Sequence, residues 1–179
     1  MGLGISQTES LAKPGKFDWL FCPTRYRWLR ENRGNAVLSK IPISSWRTTQ
    51  LPDQSGISFR NMTVVNFQWQ GQSCHFINTH LHTGIGKTEQ LQEVLNEFDK
   101  YSNAILVGDF NSKPDNELLT TYLQSSSNTT DAIRDCGIDS NEKDRIDWII
   151  TRDWKINSGD MIEKGVSDHP FYQVNIELL

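Results

Sequence analysis

Asp109 and Asn111, in the stretch NAILVGDFN from Asn103 to Asn111, set a carboxylate and an amide two residues apart. Ala104-Ile105-Leu106-Val107 is an apolar run that reads as a strand buried on both faces, ended by Gly108. Side chains i and i+2 at a strand exit point the same way, so the two polar groups are predicted side by side. Open α/β sheets place their sites at such carboxyl ends. On its own the stretch equally suits a strand followed by an Asp-containing turn. Three other places put chemistry-bearing residues at or near strand ends: His80, Asp147, and Asp168 with His169. A lone histidine such as His80 also suits a purely structural role. Asp147 stands between Ile146 and Trp148, where a carboxylate is costly unless a partner shares its charge. Asp168-His169 joins an oxygen ligand to a potential base. Asp109, Asn111 and Asp168 offer only oxygen, which suits Mg²⁺ or Mn²⁺ rather than zinc. No HExxH, GxSxG, Walker A or GxGxxG pattern competes with this reading.

The elements that must hold these residues are legible in order. Residues 1–33 are the least regular, with a turn at Lys13-Pro14-Gly15-Lys16 and a short strand over Phe17–Phe21. Thr24–Arg33 (TRYRWLRENR) interleaves Arg25, Arg27, Arg30 and Arg33 with Tyr26 and Trp28, a mixture able to grip phosphates and stack on bases. The reading preferred for it is a solvated surface segment with its aromatics packed inward. Gly34–Lys40 is a strand closed by Ile41-Pro42. Phe59–Gln70 and Ser73–Thr79 are two more, joined by a tight hairpin at Gly71-Gln72. A glycine-bearing loop, His82–Gly86, leads to a helix over Lys87–Lys100 with Leu91, Val94, Leu95 and Phe98 on one face. After the NAILVGD strand, Pro114-Asp115-Asn116-Glu117 opens a helix over Asp115–Gln124 carrying Leu118, Leu119, Tyr122 and Leu123. Ser125–Glu142 is polar and loop-like. Arg145–Ile150 and Phe171–Leu179 are strands, with the loop GVSDHP (165–170) between them. No repeat or linker interrupts the chain, so residues 1–179 are expected to form a single α/β domain.

Composition sets the outer bounds. At 179 residues, 36% hydrophobic and 22% charged with six Trp, the chain suits one ordered core. A net charge of −4, from 18 Lys+Arg against 22 Asp+Glu, argues against a protein that lives by non-specific phosphate neutralisation. No run is long enough to cross a bilayer, and MGLGISQTES carries no signal-peptide pattern, so the expectation is cytoplasmic. Cys22, Cys74 and Cys136 are few, far apart and odd in number, as buried or idle thiols of a reduced compartment would be.

Taken together, THL (79–81), GDFN (108–111), RIDWI (145–149) and SDHP (167–170), in that order, resemble the endonuclease/exonuclease/phosphatase superfamily of DNase I-like metal-dependent phosphoesterases. GNAVLSKIPI (34–43) is similar to the family's strand before its first long hairpin, so the match is strongest over 34–179. The resemblance implies a DNase I-like α/β sandwich of two mainly antiparallel sheets with outer helices. It also implies hydrolysis of a phosphodiester or phosphomonoester by a metal- and Asp/His-activated water.

Carried over by position, His169 would be the base, oriented by Asp147. Asp109 would position the water beside Mg²⁺ or Mn²⁺, with Asp168 ligating or approaching the ion. Asn111 would donate to a phosphate oxygen and His80 would stabilise developing charge. Arg60 and Asn35 would lie on the substrate side. The substrate would be a nucleic acid, phosphoinositide, phospholipid or nucleotide, since the family sets that choice in its loops. The departure is at the front. The family's opening β-α-β portion ends in a Gln-Glu pair whose Glu is the principal metal ligand. No such pair occurs here, and Glu9 lies in a polar context. The sequence therefore reads as N-terminally incomplete, with Met1 just past that Glu and an open sheet edge prone to self-association. The alternative is a catalytically impaired remnant that binds a phosphate-bearing ligand or a protein.

Overall fold

A computed structural model describes residues 7–25, 33–52, 59–138, 142–163, 165 and 167–179. In chain order the elements are α1 (Gln7–Gly15), β1 (Asp18–Arg25), β2 (Arg33–Ser39), β3 (Ile43–Gln50), β4 (Asn61–Trp69), β5 (Gln72–His80) and α2 (Lys87–Phe98). Then follow β6 (Ala104–Asp109), α3 (Glu117–Ser125), β7 (Thr129–Asp131), α4 (Ala132–Cys136), β8 (Asp147–Arg152), β9 (Trp154–Ile162) and β10 (Phe171–Leu178). Six strands form a central sheet in the order β3-β4-β5-β6-β8-β7; β1-β2 and β9-β10 are separate two-stranded ribbons. Among the described residues the expected second sheet is thus two hairpins. Among the described strands only β5 and β6 run parallel, as the α2 crossover between them requires.

Register explains how the sheet acquires two different faces. Val64, Ile77, Leu106 and Ile150 stand opposite one another across four strands, all essentially buried. They meet Leu91, Val94, Leu95 and Phe98 of α2 and Leu119 of α3, which is the apolar stripe read from the sequence. Each such side chain contributes about 1.5–3 kcal/mol of burial. One residue along, Val65, Phe76, Ile105 and Thr151 form the row on the other face. There Phe76 and Ile105 pack against a cluster of Phe67, Cys74 and Trp154, with Ile176 and Leu178 of β10 alongside.

Several local expectations need correction. Lys13-Pro14-Gly15 is the last turn of α1 rather than a free turn; Lys16, at φ 51, ends the helix. The β4-β5 turn is Gln70-Gly71, at φ 52 and 80, because Trp69 pairs with Gln72. That is the pair of positive φ values a two-residue hairpin demands. The 104–107 strand is fully buried only at Ala104 and Leu106, since Ile105 and Val107 face the thinner ribbon layer. The 125–142 stretch is not a plain loop: it holds β7 and α4, and a 3₁₀ turn over Glu142–Asp144 starts at its last residue. Of the Arg-aromatic stretch, residues 26–32 lie outside the described residues. Cys22 and Cys74 are buried, and none of the three cysteines is in a disulfide. No helix among the described residues is long and apolar enough to cross a membrane.

Gly108 is where the sheet tolerates no side chain. At φ 147 it pairs with Thr79, and a Cβ there would lie 1.9 Å from the Thr79 carbonyl oxygen. Backbone atoms in a paired strand cannot step aside. Gly108→Ala is expected to destabilise the fold by about 3 kcal/mol or more, combining strain with overpacking. Chemical denaturation measures it, and a loss under about 1 kcal/mol would show that β5 and β6 separate easily.

Candidate active site

The site is a register row carried to its end. His80 pairs with Asp109 across β5 and β6, and Asp109 pairs with Asp147 across β6 and β8. Each is four residues from the Phe76–Ile105–Thr151 row, so by strand alternation all three face the ribbons, away from α2. Three polar side chains thus stand abreast on adjacent central strands, at the end where β5 and β6 stop.

His169, on the loop before β10, closes the group: its Nδ1 lies 2.6 Å from Asp147 Oδ2. This bond lifts the His169 pKa above the ordinary imidazole value, against a smaller opposing effect of burial. Burial raises the Asp147 pKa, the bond to His169 pulls it back, and the neighbouring Asp109 charge adds to the rise. The bond thus favours a proton on His169 and the charge on Asp147, while burial works against both charges. With Nδ1 engaged, Nε2 of His169 is the ring nitrogen left for another partner.

Asp109 is held from two sides. Its Oδ1 accepts the Asn111 backbone N–H at 2.8 Å, and its Oδ2 lies 3.4 Å from His80 Nε2. The sequence expectation that Asp109 and Asn111 share a face by strand alternation is corrected here. The strand ends at Asp109, and Asn111 sits at φ 49, in the left-handed region that asparagine tolerates. A side-chain-to-backbone bond of the Asx type, rather than pleating, keeps the pair together. The Asn111 amide also donates to the Leu81 carbonyl at 2.9 Å, which ties the two loops leaving β5 and β6. Between Asp109 and Asn111, Phe110 is fully buried, and its ring stacks on Trp148.

The remaining predicted residues lie around this row. Burial holds the His80 pKa down, with the Arg60 charge the next cause, so Arg60 acts on the same place. Asn35, on β2, donates to Asn61 Oδ1 at 3.1 Å, while Asn61 donates to the Pro23 carbonyl. These bonds pin the β1-β2 ribbon near the site end of the sheet. Asp168 is exposed and adds to the rise at His169. Glu9 pairs with Lys13 within α1.

Ligand atoms of Asp109, Asp147 and His169 all lie within 4.8 Å of one another. Asp168, predicted as a ligand, is outside that group. Two half-buried carboxylates this close hold each other's charge at a cost that a cation offsets, and the group is near enough to bind a metal ion. Asp109 is common to both ligand sets.

An α/β fold with a mostly antiparallel central sheet and helices outside it, ending in an Asp-His pair beside a second carboxylate, is the DNase I-like architecture. The sequence matches the Endonuclease/Exonuclease/phosphatase family over residues 6–169, and the chain belongs to that family. Its members are hydrolases acting on phosphoesters, generally with divalent metals. Among solved structures, the chain is similar to an endonuclease/exonuclease/phosphatase family protein from Leptotrichia buccalis at 23% identity and TM-score 0.70, covering 90% of this chain and 72% of that one. It is also similar to the human Nocturnin catalytic domain with bound sulfate, at 14% identity, TM-score 0.69, and coverage of 98% and 77%. A mannosyl-6-phosphatase from Bacteroides thetaiotaomicron matches at 18% identity, TM-score 0.68, and coverage of 97% and 81%. A search of curated proteins gave no match.

Proposed function

We propose that this chain hydrolyses a phosphoester, with His169 as the base that takes a proton from the attacking water. The 2.6 Å Asp147–His169 pair, opening beside Asp109, carries this reading. Asp147 keeps the proton on His169 Nδ1 and presents Nε2 as the acceptor. Asp109, with Asp168 nearby, would hold Mg²⁺ or Mn²⁺, which when bound supplies charge neutralisation at the phosphoryl group. Asn111, which has a second amide N–H besides the one given to Leu81, donates to a phosphate oxygen. His80, whose pKa the Arg60 charge helps hold down, stabilises charge developing on the phosphoryl group, and Arg60 and Asn35 lie on the substrate side. The substrate is a phosphoester of a nucleic acid, nucleotide, phosphoinositide or phospholipid. Association between copies through an open strand edge belongs to the same reading.

A second reading is binding without turnover: an ion held by all three of Asp109, Asp147 and His169 would occupy the imidazole that the reaction needs as its base. Turnover of bis(p-nitrophenyl) phosphate separates the two readings. Hydrolysis with Mn²⁺ or Mg²⁺, removed by EDTA and restored by the ion, is the expected result. Ion binding seen calorimetrically with no turnover above buffer would leave a binding protein.

A further inference from the structure

The first turn of α2 grips both loops that carry the site. Lys87 Nζ donates to the Asn111 backbone carbonyl at 2.7 Å. Three residues on, Gln90 is fully buried; its Oε1 accepts the His82 N–H at 2.9 Å and its amide donates to the Pro52 carbonyl at 2.7 Å. Residues three apart share a helix face. One turn of helix therefore holds the exit of β6 through Lys87 and the exit of β5 through Gln90.

Lys87 is the less expected member. Its half-buried ammonium has no carboxylate in ion-pair range among the described residues, and its one hydrogen bond there is spent on a peptide oxygen. That oxygen belongs to the residue whose N–H holds Asp109 and whose side chain holds Leu81. Asn111 is in the left-handed region, and a bond to its carbonyl opposes return to an extended backbone. Gly86, which precedes the helix at φ 85, gives α2 no side-chain cap, so the helix start is fixed by these contacts rather than by its own capping.

We propose that Lys87 is a positioning residue of the phosphoester site, acting through the Asn111 peptide to set Asn111 and Asp109 against His80. It deepens the proposed function and rests on it for its kinetic consequence. Its structural consequence stands apart: without Lys87, the Asn111 amide loses its fixed bond to Leu81.

The test uses the full chain as wild type, Lys87→Met and Lys87→Arg. In Lys87→Met, kcat on bis(p-nitrophenyl) phosphate with Mn²⁺ is expected to fall about ten- to a hundredfold, the cost of misplacing a reacting group by an ångström or so. KM should change less than about threefold and Lys87→Arg should restore most of the rate, because a single carbonyl asks only for a cationic donor. Hydrogen exchange at the Asn111 side-chain amide, followed by NMR, should be slow in wild type and Lys87→Arg and fast in Lys87→Met. An Asn111 amide equally protected in all three would overturn the proposal, as would a loss that Arg fails to rescue. Loss of protection in Lys87→Met with a wild type that hydrolyses nothing would keep the positioning role and reject the phosphoesterase reading.

Discussion

Asp147→Asn is expected to lower phosphoester hydrolysis about a hundred- to ten-thousandfold, the range of a lost acid–base contribution, while leaving the fold nearly as stable. The amide keeps the size of the carboxylate but cannot hold a proton on His169 Nδ1 by charge. The rate limb at low pH should also move. Because Asp147 raises the His169 pKa, the neutral base in wild type fills only above the ordinary imidazole range of about 6.5. Without that charge the limb shifts down, so the variant is slow yet reaches its plateau at lower pH.

Stability follows the opposite pH course. A histidine whose folded pKa is raised contributes stability that is fully present below its unfolded value and lost as pH rises through the folded value. The cost of Asp147→Asn should therefore appear at acid pH and fade above the raised His169 pKa, where the enzyme would be most active. Burial already holds the Asp147 pKa up, so removing its charge also removes a desolvation penalty. Melting curves and rate profiles at pH 5.5 and 8.5 separate the roles. Parallel losses of stability and rate at pH 8.5 would make Asp147 a structural residue.

The sequence exposed elements whose pattern is set by burial. The Leu91–Phe98 stripe of α2 and the apolar runs of β4, β5, β6 and β8 are all core-facing, and their periodicity is what a reader can see. β3 (ISSWRTTQ) was missed because it is an edge strand with mostly exposed side chains and no alternation. β9 mixes Lys, Asn, Ser, Gly and Asp, and α4, at five residues, is too short to show a period. The candidate-site residues were visible as short motifs, since Asp109 and Asp147 are carboxylates at the ends of recognisable strands and His169 stands in the short SDHP motif before another. The residues that hold them were not. Lys87, Gln90 and Asn61 act on backbone atoms of distant segments, and nothing in a one-dimensional pattern says that a lysine opening a helix will reach a carbonyl 24 residues away. Arg145 stood in a quoted motif, yet its partner lies in the stretch read as a loop.

That partner is Asp131. Arg145 Nη2 and Asp131 Oδ2 lie 2.5 Å apart, with side chains 0% and 1% exposed. Arg145 also donates to the Asp147 carbonyl at 2.8 Å and lies over the Trp148 ring at 4.3 Å. The Trp148 indole N–H in turn donates to the Ser112 carbonyl, just past the Asp109–Asn111 turn. The pair thus braces the start of β8 and the exit of β6 together. Removing one buried partner leaves the other's charge uncompensated, at a cost of about 3–5 kcal/mol. Asp131→Ala should reach that range and also loses the cap Asp131 gives to α4. Arg145→Met should cost a similar amount while keeping apolar contact with Trp148. The double variant decides between a charge effect and a packing effect. If unpaired charge is the penalty, Asp131→Ala with Arg145→Met is less destabilised than the sum of the single changes by about 2 kcal/mol or more, within the coupling seen for contacting residues. Simple additivity in denaturation midpoints would mean that the two side chains fill space independently. In that case the brace on Asp147 would come from packing around Trp148 alone.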